Sequence, residues 1–207
     1  MIKLIILDCY GLVLSSGYPD TAKALAKKYG SPRLRSGVAG GKWRDFQKIM
    51  YKKYFNLAAT RKISQKEAWQ KTVEHFKLPL TWQELRDLHY RLFKIDNRVV
   101  KLNQELYQKG YKTLLLSKNT RSQFADTCGR FGLKKKFKNV INTWELGLPK
   151  ASAATLKEIM KRFTVKTSEV VYADDQQDNL ADAKKMGIKT ILVKNFRQFK
   201  NELNKCL

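Results

Sequence analysis

Acidic residues are scarce in this 207-residue chain: 18 Asp and Glu stand against 42 Lys and Arg, a formal charge of +24. Histidine and cysteine are scarcer still, at two and three residues. Cys9, Cys128 and Cys206 are odd in number, widely separated and without a C-x-x-C pair, which argues against a disulfide framework and a cysteine zinc site. Cys206 also misses the four-residue prenylation pattern. His75 and His89 lie in polar helical stretches, and neither has an identifiable base or orienting partner, so a histidine metal site or Ser-His-Asp triad has little material. No apolar run approaches the roughly 18 residues of a transmembrane helix. The first run, Ile2 to Leu7, meets Asp8 before it can form a secretion-signal core. The expectation is a cytoplasmic protein with reduced thiols and no membrane partner.

What is present suffices for a core. With 43% apolar and 11% aromatic residues, a fold of this size hides roughly 70% of its unfolded surface. The positive field reaches polyanions over a Debye length of roughly 8 Å. It is spread along the whole chain, and its one dense cluster is Lys134, Lys135, Lys136 and Lys138. A solvated basic surface is the simpler reading of that charge; a nucleic-acid or other polyanion site is the alternative.

Short apolar runs alternate with amphipathic stretches, as in helices packed on a parallel sheet. The runs are Ile2 to Leu7, Thr113 to Leu116, Val140 to Ile141, Val170 to Ala173 and Thr190 to Val193. Between the first two lies a gap too long for one crossover, and its contents read as helical. Ser64 with Glu67 and Thr81 with Glu84 form capping boxes. Trp69, Val73 and Phe76, and earlier Trp43, Phe46, Met50 and Tyr54, recur at helical spacing and predict buried stripes. The expected organisation is an α/β core from residues 1–15 and 98–207, with a helical insertion over 16–97. Within the core, Gly110, Gly132 and Gly187 sit where helices end on a left-handed residue, and Thr120 with Gln123 predicts a further capping box.

Ligands of open parallel sheets gather beyond the carboxyl ends of the strands. The polar residues there form four stations: Asp8-Cys9-Tyr10-Gly11, Ser117-Lys118-Asn119-Thr120, Leu148-Pro149-Lys150, and Asp174-Asp175-Gln176-Gln177-Asp178-Asn179. Together they contain the parts of a phosphoryl-transfer site: a carboxylate nucleophile (Asp8), a carboxylate to share a magnesium ion (Asp175), a lysine to damp the negative charge (Lys150) and a hydroxyl to hold a phosphate oxygen (Ser117). Cys9, at a strand end among apolar neighbours, reads as a small buried thiol.

In order and setting, the four stations resemble the motifs of the haloacid dehalogenase superfamily of hydrolases. Val170 to Asn179, followed by Ala183 and Gly187, resembles its fourth motif in the double-aspartate form. Glu145 to Lys150 resembles its lysine segment, with Pro before rather than after the lysine, and Leu115 to Asn119 its second motif. The resemblance implies a Rossmann-like α/β core with an inserted helical cap over the site. It implies Asp8 as nucleophile and Asp8, Asp175 and the Tyr10 main-chain carbonyl as magnesium ligands. Ser117, Asn119 and Lys150 would bind phosphate, and Asp174 and Asn179 would support the site.

Tyr10 stands where phosphatases of the family carry a second Asp, which protonates the leaving oxygen. An ordinary tyrosine titrates near 10, and loss of such an acid costs about 10²–10⁴-fold. Asp-x-Tyr-Gly instead resembles the first motif of L-2-haloacid dehalogenases, in which halide leaves without a proton. Those proteins usually have Thr where Leu12 stands, and no acidic fourth motif. Three functions follow: a magnesium-dependent phosphoryl hydrolase of a small phosphorylated or anionic substrate, a dehalogenase, or a catalytically weak polyanion-binding protein. Arg33, Arg35, Lys42 and Arg44 in the insertion are candidates to meet an anionic group.

Overall fold

Each of the five apolar runs becomes a strand in the computed structural model, which describes residues 1–30 and 44–207, the side chain of Arg44 excepted. The strands are β1 (Leu4–Asp8), β2 (Lys112–Ser117), β3 (Val140–Asn142), β4 (Val170–Asp174) and β5 (Lys189–Leu192). They pair parallel in the order β3-β2-β1-β4-β5. β1 and β4 are buried along their whole length, because helices cover both faces and leave no side of the strand for polar residues. Alternate side chains divide between two cores. Ile5 and Leu7 meet Val100, Leu106, Phe124 and Phe199 on one face, while Leu4 and Ile6 meet Leu156, Ile159 and Leu180 on the other. This is the expected Rossmann-like α/β fold.

Two compact units divide the chain: Met1–Ser15 with Ile95–Leu207, and Ser16–Lys94. The division falls three residues before the boundary at 97/98 read from the sequence. Its cause is local: Ile95 bridges to Leu14, and the Asp96 side chain accepts the Arg98 N–H at the start of helix Asn97–Gln108.

In the α/β unit, Gly110, Gly132 and Gly187 all have positive φ at helix ends. The capping box expected at Thr120 does not form. Thr120 makes no side-chain cap to the helix Arg121–Phe131, and Thr120 Oγ1 and Gln123 Oε1 are both buried without a partner.

The helical unit contains Tyr18–Tyr29, Arg44–Gln47, Lys48–Phe55, Asn56–Ala59, Gln65–Phe76 and Trp82–Arg91. Thr81 and Glu84 close a full capping box, and Ser64 accepts the Glu67 N–H. The stripe at 46, 50 and 54 is corrected by the segment Lys48–Phe55, which winds as a wider π-helix. With i→i+5 bonding the spacing widens: Met50 and Phe55 are the buried residues of the segment, and Tyr54 is left half-buried. Val73 is likewise only half-buried, whereas Trp69, Thr72 and Phe76 are buried. His89 is not on a polar face: it is fully buried, in ring contact with Tyr18, Trp69 and Phe93. Trp43, Arg33, Arg35 and Lys42 lie outside the described residues, as does the Arg44 side chain. Among the described residues, no helix is long and apolar enough to cross a membrane.

Candidate active site

β1 and β4 are neighbours in the sheet, paired from Leu4↔Val170 to Leu7↔Ala173. Their next residues, Asp8 and Asp174, therefore emerge side by side at the carboxyl edge. Oxygens of Asp8, Asp174 and Asp175 lie within 4.8 Å of one another. Asp8 is 1% exposed and Asp174 fully buried, so three carboxylates share one poorly hydrated corner.

Lys150 enters that corner from the connection after β3. Its ammonium donates to Asp8 Oδ1 and lies 3.0 Å from Asp174 Oδ2, with the lysine side chain only 4% exposed. The turn that delivers it is strained: the next residue, Ala151, is buried at φ 61°, a left-handed conformation costing roughly 1–2 kcal/mol for a residue with a Cβ. The turn is held by Pro149 O, which accepts the Ser152 N–H at 3.2 Å and the Thr155 hydroxyl at 2.8 Å. Pro149 ahead of the lysine is thus part of its support.

The adjacent aspartates differ. Asp174 accepts from the Tyr172 hydroxyl at 2.7 Å, the Gln176 N–H at 2.8 Å and the Asn179 amide at 2.9 and 3.0 Å. Burial opposes its ionisation, but Lys150 and these donors outweigh burial and hold its carboxyl below the usual range. Asp175 has no such set: burial and the charge of Asp174 push it up, and its Oδ1 is buried without a partner. Asp8 is also pushed well up, by burial first, against the attraction of Lys150; its Oδ2 is the other unpartnered carboxylate oxygen. Lys150 keeps its proton, because Asp8, Tyr172 and Asp174 together overcome the cost of its burial.

Gly11 makes room for this arrangement. At φ 120° it has a backbone that side-chain-bearing residues rarely adopt, and a Cβ there would run into the Asp175 carboxylate. The loop that carries it is closed by Gly11 N–H to Leu14 O and Leu14 N–H to Cys9 O, both 2.7 Å.

Ser117 ends β2 beside β1, fully buried, with its hydroxyl unpartnered. Asn119 is engaged locally: its side-chain oxygen accepts the Thr120 N–H at 2.9 Å, and its backbone is bracketed by the Asn142 amide at 3.1 and 3.0 Å. The Tyr10 hydroxyl donates to Thr127 Oγ1 at 2.9 Å, and Thr127 donates onward to Gln123 O at 2.7 Å, so the phenolic proton is committed to the helix Arg121–Phe131. Cys9 is fully buried, and burial raises its thiol well above the ordinary value.

Two participants went unread in the sequence. Tyr172 shares a strand face with Asp174, two residues on, and that period was the signal available for it. Lys118 is half-buried beside the site, and burial first, then the charge of Lys150, lowers its ammonium.

An open parallel α/β sheet with acidic side chains, a buried lysine and a hydroxyl at its carboxyl edge defines a class of hydrolase. The family model of the haloacid dehalogenase-like hydrolases matches residues 42–193, and the chain belongs to that family. The matched stretch includes Ser117, Lys150 and Asp175 and begins after Asp8. No curated protein sequence matches significantly. Among solved structures, the chain is similar to a HAD family enzyme from Bacteroides thetaiotaomicron (TM-score 0.72, 15% identity, 98% of each chain covered). It is also similar to a predicted HAD-like hydrolase from Porphyromonas gingivalis (0.72, 21%, 99% of this chain and 97% of that one). The L-2-haloacid dehalogenase from Xanthobacter autotrophicus matches as well (0.68, 18%, 99% and 83%). The Bacteroides enzyme has been crystallised with magnesium and inorganic phosphate.

Proposed function

We propose that the chain is a magnesium-dependent phosphoryl hydrolase of a small phosphorylated substrate, working through Asp8. One observation carries the reading: Asp8 Oδ2 and Asp175 Oδ1 are buried without a donor, in a cluster of three carboxylates. Uncompensated carboxylates in such a place are costly, and a divalent cation removes the cost. The donor set fits magnesium, which takes one or two carboxylates plus oxygens from substrate and water. Asp8, Asp175 and the Tyr10 main-chain carbonyl would hold it, and it would neutralise charge on the transferring phosphoryl group.

The protein's own groups divide the remaining work. Asp8 forms a bond to phosphorus as the bond to the leaving oxygen breaks, the leaving group departing with the electron pair. Water then displaces the aspartyl carboxylate, releasing inorganic phosphate. Lys150 and the Ser117 hydroxyl donate to phosphoryl oxygens, where charge is carried in the transition state. Asn119, with its side-chain oxygen engaged, contributes its amide NH₂. Asp174 and Asn179 position Lys150 rather than react. The helical unit serves as the cap.

The Tyr10–Thr127–Gln123 relay leaves no side chain on the first motif to protonate the leaving oxygen. Acyl and aryl phosphates, whose leaving groups depart as stable anions, are therefore the favoured substrates. The clustered carboxylates weigh against halide displacement, since they repel a 2-haloacid carboxylate.

The test is turnover of acetyl phosphate and p-nitrophenyl phosphate with magnesium, with EDTA, and in Asp8→Asn. Expected are magnesium-dependent release of phosphate, loss with EDTA, and a fall of at least about 10³-fold in the variant. Metal-independent halide release from 2-chloropropionate, with no phosphate turnover, overturns the reading in favour of dehalogenation.

A further inference from the structure

One face of the α/β unit is absorbed neither by the fold nor by the proposed chemistry. The helix Arg121–Phe131, the lysines of Leu133–Lys136 and the edge strand β3 enclose a cavity of about 460 Å³. That lies within the roughly 300–1,000 Å³ of small-ligand sites. Its wall is basic and apolar together: Arg121, Lys134 and Lys135 carry charge, Phe124 and Val140 supply hydrocarbon, and Glu145 is the one acid.

Three further observations give the ligand a chemistry. First, Gly129 lies inside the helix, where glycine costs about 1 kcal/mol against alanine. A Cβ there would meet nothing within 4 Å, and its φ is not positive. Neither packing nor backbone geometry calls for a glycine, and what its absence of a side chain provides is bare helix backbone against which a flat group can lie. Second, Lys138 extends the basic row to Tyr107, with its ammonium 3.8 Å from the ring centroid. Tyr107 is 41% exposed, an aromatic face open to solvent beside a cation. Third, Arg121, Lys134, Lys135 and Lys138 belong to no ion pair among the described residues; Lys138 donates to the neutral Tyr107 hydroxyl, so no carboxylate neutralises the four cations.

We propose that this face binds single-stranded nucleic acid, with one nucleotide seated in the cavity, the next phosphates on Lys134, Lys135 and Lys138, and a neighbouring base stacked on Tyr107. Unpaired cations in a row match a phosphate backbone, and aromatic surfaces between them match unstacked bases. An acidic peptide would use the lysines but leave the cavity and the ring idle. A duplex, its bases already stacked, would do the same. The overall charge of +24 supplies the long-range attraction, and the cavity supplies the address.

The experiment is fluorescence anisotropy of a labelled single strand of roughly 12 nucleotides, at about 50 mM and about 200 mM KCl. The variants are Lys134→Glu/Lys135→Glu, a control pair Lys157→Glu/Lys161→Glu that changes the same charge on the exposed side of another helix, Gly129→Leu, and Tyr107→Ala. Circular dichroism establishes that each is folded. Expected are salt-sensitive binding, a loss of about tenfold for the 134/135 pair against about threefold or less for the control, and weakening by Gly129→Leu and Tyr107→Ala. Binding of inorganic polyphosphate should be unaffected by the last two. The proposal is overturned by no binding at the lower salt, by equal losses in the two charge-changed pairs, or by polyphosphate and nucleic acid responding alike to Gly129→Leu and Tyr107→Ala. The cavity variants lie outside the carboxylate corner, so their effects are independent of phosphate turnover.

Discussion

Both units of the chain bury polar atoms that have no partner, and they do so in opposite ways. In the helical unit the orphans are Trp69 Nε1 and His89 Nε2, in rings whose centroids are 5.4 Å apart. The Thr21 hydroxyl donates to Gly17 O at 2.8 Å, so the 2.8 Å contact between Thr21 and His89 Nδ1 is a donation from the imidazole. That leaves Nε2 bare and the ring neutral, and burial takes the His89 pKa from 6.5 to about 3. In the α/β unit Asn103, Thr120 and Gln123 each leave a neutral oxygen unpartnered, while Asp8 Oδ2, Asp175 Oδ1 and Ser117 Oγ stand together around a buried ammonium. One unit meets burial by giving up charge; the other favours the charged forms of Lys150 and Asp174, while burial works against ionisation of Asp8 and Asp175 beside them. Only the second arrangement calls for a ligand.

The largest effect that would break this contrast comes from Lys150→Met. If the α/β unit truly retains ionised groups, removal of the shared cation leaves Asp8 and Asp174 uncompensated and costs about 3–5 kcal/mol, read by urea unfolding. A loss under about 1 kcal/mol would mean that the carboxylates simply take up protons and the corner holds no charge worth the name.

Smaller per step, though comparable when summed over its whole window, is the pH response of the helical unit. The folded-state pKa of His89 lies below its unfolded value, so the unfolded chain binds more protons between them. Stability on this account is complete above about pH 6.5 and falls as the pH drops toward 3, by up to about 1.4 kcal/mol per pH unit. His89→Phe should remove that slope in unfolding measured between these limits. An unchanged slope would assign the acid sensitivity elsewhere.

The smallest effect is expected of Tyr10→Phe. It removes the hydrogen bond to Thr127 and should cost about 0.5–1.5 kcal/mol, with phosphate turnover changed less than about threefold. A drop of a hundredfold would make Tyr10 a proton donor to the leaving oxygen after all.

Much of this was legible because buried parallel strands and their edge residues are local patterns. Runs such as Val170 to Ala173 need no partner to be recognised, and Asp174-Asp175 follows immediately. The Thr81–Glu84 box and the glycines at 110, 132 and 187 are equally local. The rest depended on distant packing. Nothing near Thr120 tells that its hydroxyl stays uncapped, and nothing near Tyr54 tells that a π-helix moves Phe55 into the buried place. His89 looks polar between Leu88 and Tyr90 because the rings that enclose it, Tyr18 and Trp69, come from other helices. The division of labour between Asp174 and Asp175 was also out of reach, since it rests on a lysine 24 positions upstream.

Residue 11 gives the site its most economical point of failure. The mould that accepts the Asp175 head group is cut to the thickness of a hydrogen atom. A single methyl at that spot, Gly11→Ala, would act as a wedge, silencing the reaction while every proton donor, acceptor and charge in the corner is still encoded.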